Sequence, residues 1–198
     1  MDMIYPVILP VPFKDKKLTG KEKVLRLSRH ARYALNISAQ KSGVILSNVS
    51  KDKKGIPIPC NGNYWSLTHK SEYVGAVVAR TKIGIDIEKI RPCSKSLFKK
   101  IAGSSEWIIA DNNEPYKLFF RYWTSKEAVL KANGTGLKDL SKCRVTQVFD
   151  NSKLIINYKD KSWLIEHCFF DKHIASVVIN GLHVEWTFCN NKIVQPFK

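Results

Sequence analysis

The chain has 198 residues, 44% hydrophobic and 11% aromatic, a balance that describes a folded globular protein and excludes a disordered one. Its net charge of +16 asks for an anionic partner, and a phosphate-rich cofactor, an acidic protein and a nucleic acid all fit that demand. No apolar run approaches the roughly 18 residues of a membrane helix, and the five scattered cysteines, odd in number and without a C-x-x-C pair, argue against a disulfide framework or a zinc site and for a reducing cytoplasm.

In chain order, Ile4–Phe13 is apolar but carries Pro6, Pro10 and Pro12, so it reads as a first strand and loop and not as a signal peptide. Basic residues crowd the next segment, with twelve Lys or Arg against three acids between Lys14 and Lys54. Within it Thr19–Leu46 has helical character, with Leu25, Leu27, Leu35 and Ile37 among basic residues and Arg29 and Arg32 on one face. Asn48–Asn63 is a loop rich in Lys, Pro, Gly and Asn. Tyr73–Ala79 reads as a buried strand and Lys82–Glu88 as an alternating one, joined as a hairpin through Arg80–Thr81. A helical region over Lys95–Asp111 precedes a stronger helix, which Glu114-Pro115 opens and Asn133-Gly134 closes. Cys143–Phe149, Leu154–Tyr158, Ser162–Phe170 and His173–Ile179 are expected as strands, with a tail from Gly181 holding one more at His183–Phe188. The echo between YVGAVVA at 73–79 and HIASVVI at 173–179 suggests two halves of about 90 to 100 residues that pack as pseudo-repeats.

Three segments carry chemistry. In a strand over Lys82–Glu88, Ile83, Ile85 and Ile87 point to a core while Gly84, Asp86 and Glu88 share the opposite face. Two carboxylates about 6 to 7 Å apart on one face repel unless a cation lies between them, and magnesium suits oxygen ligands. Gly84 leaves room on that face for a bulky ligand. By itself, D-x-E describes the polar face of an edge strand just as well. On the later helix, Trp123, Glu127 and Lys131 fall on one stripe, where an ordinary solvated Glu–Lys pair is the plain alternative. Ser66-Leu67-Thr68-His69-Lys70, just ahead of the strand at 73, offers several donors for phosphate.

The order of these segments resembles the 4′-phosphopantetheinyl transferases, in particular the monomeric type that activates surfactin and enterobactin synthetases. The family's G-[IV]-D-[IV]-E strand is matched by Gly84 to Glu88, and its W-[ST]-x-K-E-[AS]-x-x-K helix by Trp123 to Lys131, followed by Gly134-x-Gly136-Leu137. Its N-x-S-H-S loop is similar to Ser66–Lys70, with Ser66 where asparagine is usual and Lys70 where a second serine is usual. The likeness runs over residues 15–180.

What the resemblance implies can be placed on this chain. The fold would be α+β, an α/β pseudo-dimer whose subdomains, 1–92 and 93–198, each pack a small, mostly antiparallel sheet on a long helix, with the active site at their interface. Asp86, Glu88 and Glu127 would hold Mg2+ (Mn2+ as a substitute) at the diphosphate of coenzyme A, the substrate. Lys131 would contact that diphosphate, and His69 with Thr68 would bind a coenzyme phosphate. Arg32, in Ala31-Arg32-Tyr33-Ala34-Leu35, would join the same pocket. Gly55-x-Pro57 is similar to the family's turn beside the adenosine, and since Ile56 replaces a basic residue there, Lys53 or Lys54 would take over that phosphate contact.

The implied reaction is attack of a carrier-protein serine on the β-phosphate, with Glu127 as base, Lys131 assisting and 3′,5′-ADP leaving. The expected partner is an acidic apo acyl or peptidyl carrier protein, met by a cytoplasmic monomer that engages neither nucleic acid nor membrane. A metal-dependent nuclease is the alternative: the same carboxylates and Lys131 would serve it and the basic surface would take a phosphate backbone, but no helix-turn-helix, finger or RNA-binding signature accompanies them.

Overall fold

The structure is a computed structural model that describes residues 3–110 and 114–189. Strands β1 (Met3–Ile4) and β2 (Val7–Pro10) lead into a short helix α1 (Phe13–Lys16) and the long helix α2 (Gly20–Lys41). Strands β3 (Tyr64–His69), β4 (Tyr73–Ala79) and β5 (Ile85–Lys89) follow, then the short helices α3 (Lys95–Ile101) and α4 (Ser104–Trp107). Helix α5 (Pro115–Asn133) and a 3-10 turn (Leu137–Lys142) precede strands β6 (Arg144–Val148), β7 (Lys153–Tyr158), β8 (Lys161–Phe170) and β9 (His173–Val178). Two-residue strands β10 (His183–Val184) and β11 (Thr187–Phe188) end the described chain.

Two sheets, each backed by one long helix, make up an α+β architecture. The first has the order β11-β2-β4-β3 and the second β5-β9-β8-β7-β6, while β1 and β10 form a small parallel pair. Most pairings are antiparallel, β11 with β2 being parallel.

Helix α2 lies on the first sheet through Leu27, Ala31, Ala34, Leu35, Ser38 and Ala39, spaced to form one stripe. Small residues let the helix sit close to Val74, Ala76 and Val78, in the same core. Leu25, off that stripe, is exposed. Helix α5 is buried on almost every side, including Phe119, Tyr122, Ala128, Val129 and Ala132, because the second sheet covers one flank and α3 and α4 another. Proline in its first turn and Gly134, left-handed at φ 65, set its two ends.

Two corrections concern connections. The hairpin through Arg80–Thr81 does not form: β4 pairs with β2 and β3, and β5 pairs with β9 in the other sheet. Alternation gives a strand's faces but not its neighbour, and here both faces of β5 are covered, with Ile85 and Ile87 turned to Gly75 of β4 on one and the buried Asp86 on the other. The expected helix over Lys95–Asp111 is two short helices broken at Ala102-Gly103; Asp111 and the tail beyond Cys189 lie outside the described residues. Each half lends a strand to the other's sheet, β5 one way and β11 the other.

Candidate active site

The site forms where β3, at the edge of the first sheet, passes β5, at the edge of the second. Two hydroxyls on one face of β3 join them: Ser66 Oγ accepts the Ile85 N–H at 3.2 Å, and Thr68 Oγ1 donates to Asp86 Oδ1 at 3.0 Å. Thr68, expected at a phosphate, is therefore buried and committed to the carboxylate. Helix α5 closes on β5 from the other side, and Gly84 makes that approach possible. A Cβ there would stand 1.9 Å from the Ala128 carbonyl oxygen and 2.8 Å from the Ala132 nitrogen. The space expected to admit a ligand thus admits the α5 backbone, bringing the next turn of that helix onto Asp86.

Asp86, Glu88 and Glu127 converge, with one carboxylate oxygen from each lying within 4.8 Å of the others. Asp86 is 1% exposed. Its Oδ1 accepts from Lys131 Nζ at 2.7 Å as well as from Thr68, and its buried Oδ2 has no hydrogen-bond partner among the described residues. Lys131 also donates to the Ile85 carbonyl at 3.1 Å and stands 4.0 Å from Glu127. Lys70 holds Glu88 at 2.6 Å.

The electrostatics record an excess of negative charge. Burial, then the Asp86 charge, pushes the Glu127 carboxyl up to about 7 against the pull of Lys131 and Lys70. Burial likewise raises Glu88, although Lys70 opposes it. An orphaned buried oxygen among three crowded carboxylates is what a hard divalent cation satisfies, so this donor set fits magnesium or manganese.

A cationic rim borders the acids. His69 is held below its ordinary value by burial and then by the charges of Lys131, Lys51 and Lys70. Burial and then Arg32 and Lys131 lower Lys51 in the same way. Arg32 reaches over from α2 and donates to the Val49 carbonyl at 2.8 Å, which fixes the loop bearing Lys51. Lys51 is the residue missed in the sequence, where it is one lysine among several in a polar loop. Lys54, singled out there, is exposed in a turn that Asp52 closes by accepting the Lys54 and Ile56 N–H groups, both at 2.8 Å. Trp123 lies partly buried one turn before Glu127, its ring 6.0 Å from that of Phe119.

The comparisons with known proteins add an independent observation: a model of the 4′-phosphopantetheinyl transferase superfamily matches residues 82–179, from the start of the β5 segment through α5 to the end of β9. Residues 82–179 belong to that superfamily.

Among its relatives, the 4′-phosphopantetheinyl transferase HetI of Nostoc is 36% identical over 91 residues, 43% of this chain and 38% of the relative. The 4′-phosphopantetheinyl transferase Sfp of Bacillus subtilis is 30% identical over 77 residues, covering 37% of this chain and 34% of its own length. A putative 4′-phosphopantetheinyl transferase of Haemophilus influenzae is 30% identical over 140 residues, 66% of this chain and 59% of the relative. The matched stretches thus span about a third to three fifths of these relatives. The superfamily match contains all three carboxylates and Lys131, whereas Arg32, Lys51, Thr68 and His69 precede it.

Proposed function

We propose that the chain transfers the 4′-phosphopantetheine group of coenzyme A to a serine of an apo acyl or peptidyl carrier protein and releases 3′,5′-ADP. The observation that carries this reading is the meeting of Asp86, Glu88 and Glu127 around an unpartnered buried oxygen beside Lys131 and a cationic rim. We take residues 1–92 and 93–198 as two related subdomains, each lending the other a strand, with the active site between them.

Asp86, Glu88 and Glu127 would hold Mg2+, or Mn2+ in its place. When bound, the ion would neutralise the coenzyme's diphosphate and favour departure of the nucleotide. Lys131, anchored on Asp86 and the Ile85 carbonyl, presents its ammonium to the same diphosphate. Arg32, Lys51 and His69 grip the remaining phosphate, with Lys54 as an outer contact, and Thr68 fixes the Asp86 rotamer. Glu127, with a carboxyl near neutrality, takes the proton from the serine hydroxyl as its oxygen bonds to the β-phosphorus and the phosphoanhydride bond breaks.

The excess of basic residues would steer an acidic carrier toward a monomeric, cytoplasmic enzyme. Among the described residues no helix is long and apolar enough to cross a membrane. The relatives above are named as transferases, which gives the nuclease alternative no support.

The test offers the protein coenzyme A, Mg2+ and apo carrier proteins, and in parallel plasmid DNA. A carrier mass gain of one phosphopantetheine group is the expected result. Cleaved DNA with unmodified carriers would overturn the reading.

A further inference from the structure

Behind the carboxylate centre, the sheet face that α5 covers carries a row of polar side chains. Asp86 on β5, Ser176 on β9 and His167 on β8 are register partners across three adjacent strands, so their side chains share one face. Ser176 is 0% exposed and His167 is 5% exposed. Thr124, also fully buried, comes down on this row from α5, and its Oγ1 lies 2.5 Å from Ser176 Oγ. The surroundings are apolar: Ile174 and Val178, two residues either side of Ser176 on the same face, belong to the core that packs under the helix.

Each hydroxyl is held from behind. Thr124 Oγ1 donates to the Phe120 carbonyl of its own helix at 2.8 Å, and Ser176 Oγ lies 2.9 Å from His167 Nδ1. Both rotamers are set by these second contacts, which makes the hydroxyl pair a directional joint between helix and sheet.

The place of the joint is the informative part. Apolar burial is non-directional, so it draws a helix onto a sheet without naming its rotation or axial position. A hydrogen bond between two fixed hydroxyls names both. Glu127 follows Thr124 by three residues, close to one helical turn, and Asp86 stands beside Ser176 on the next strand. Further along the helix, the backbone at Ala128 and Ala132 meets Gly84. The acids that α5 and β5 bring together are thus bracketed by a polar joint on one side and a close backbone approach on the other.

We propose that Thr124 and Ser176 are positioning residues, whose hydroxyl contact sets the rotation and height of α5 on the sheet and thereby the spacing at which Glu127 meets Asp86 and Glu88 around a divalent cation. The inference rests on reading those three carboxylates as a metal centre. The hydroxyls act through the helix and the strand next to the ligands, and not as ligands themselves.

The experiment measures Mn2+ affinity by calorimetry in the full, chelator-treated chain, with urea denaturation alongside. Thr124→Val keeps the side-chain shape and removes the hydroxyl, and Ser176→Ala removes the partner; each should weaken Mn2+ binding at least about tenfold. The double variant should bind no more weakly than the weaker single one, because the contact is lost only once. Thr124→Ser does the reverse of Thr124→Val: it deletes a buried methyl but keeps the hydroxyl, so it should lower the urea midpoint and leave Mn2+ affinity near that of the parent. Parent-like affinity in Thr124→Val and Ser176→Ala would overturn the inference and leave the metal centre standing. So would losses that add in the double variant, or an affinity that falls as far in Thr124→Ser as in Thr124→Val. A parent chain that binds no Mn2+ would overturn the inference together with the reading beneath it.

Discussion

Helix α5 carries two lysines five residues apart, each on a buried carboxylate, and the two pairs differ in everything else. Lys126 and Glu106 have side chains 1% and 4% exposed. The Glu106 oxygens accept from Lys126 at 2.6 Å, from the Val145 and Gly103 N–H groups at 2.9 Å each and from Arg144 at 3.4 Å. Lys126 also donates to the Ile101 carbonyl at 2.6 Å, so the pair is closed. Lys131 is 30% exposed, and the Asp86 it holds keeps one oxygen unpartnered. The neighbouring carboxyls shift in opposite directions. Burial disfavours the Glu106 charge, but Lys126 and the two N–H groups outweigh it and hold the carboxyl down, whereas burial and Asp86 push Glu127 up. A buried charge with every partner supplied by the chain is architecture; one left short of partners marks a place for something the chain does not contain.

The largest difference between the regions should appear in catalysis. Glu127→Gln is expected to slow carrier modification about 10²- to 10⁴-fold, the usual worth of a positioned base, with denaturation unchanged. A variant within a few-fold of the parent would mean that Glu127 is not the base. Lys126→Met should do the opposite, costing about 3 to 5 kcal/mol of stability by stranding Glu106, as measured in urea. A loss below about 1 kcal/mol, the ordinary scale of a surface change, would break the distinction.

Gly84→Ala tests the close approach that builds the open site. With the Ala128 oxygen 1.9 Å from the new methyl, it should cost about 1 to 3 kcal/mol as α5 is pushed outward, and activity should fall further than stability explains. Acid titration probes the closed pair. Folded Glu106 binds its proton less readily than the unfolded chain, with its ordinary value of 4.5. Its contribution is therefore whole above about pH 4.5 and is lost as pH falls through its folded value. The stability gap between the parent and Glu106→Gln should narrow over that range, and a gap constant down to pH 3 would contradict the pairing. The smallest effect is expected of Lys70→Ser. Removing the ammonium from Glu88 should strengthen Mn2+ binding a few-fold in calorimetry, and weaker binding would show that Lys70 is not a competing cation.

The open site was more legible in the sequence than the closed one, for a physical reason. Asp86 and Glu88 lie two apart on a strand, and Glu127 and Lys131 four apart on a helix, so local periodicity groups them. The ends of α5 were legible too, from Pro115 and Gly134. Glu106 and Lys126 are separated by a helix break and a loop; no spacing announces them, and a lysine in a helix ordinarily reads as surface. The same limit hid the partner of β5, since alternation cannot say which strand lies beside it. It also hid the role of Gly84, whose neighbour is backbone more than forty positions later, and that of Lys51, made prominent only by Arg32 crossing from α2. Thr68 was recognised as part of a polar loop, but its direction toward Asp86 depends on β3 and β5 meeting edge to edge.

Binding of Mn2+ to the full, chelator-treated chain, followed by the paramagnetic resonance of the free ion, tests the carboxylate centre most directly. Asp86→Asn, Glu88→Gln and Glu127→Gln should each weaken binding at least about tenfold. Equal affinity in the Glu127→Gln chain would contradict the joining of strand and helix around one ion.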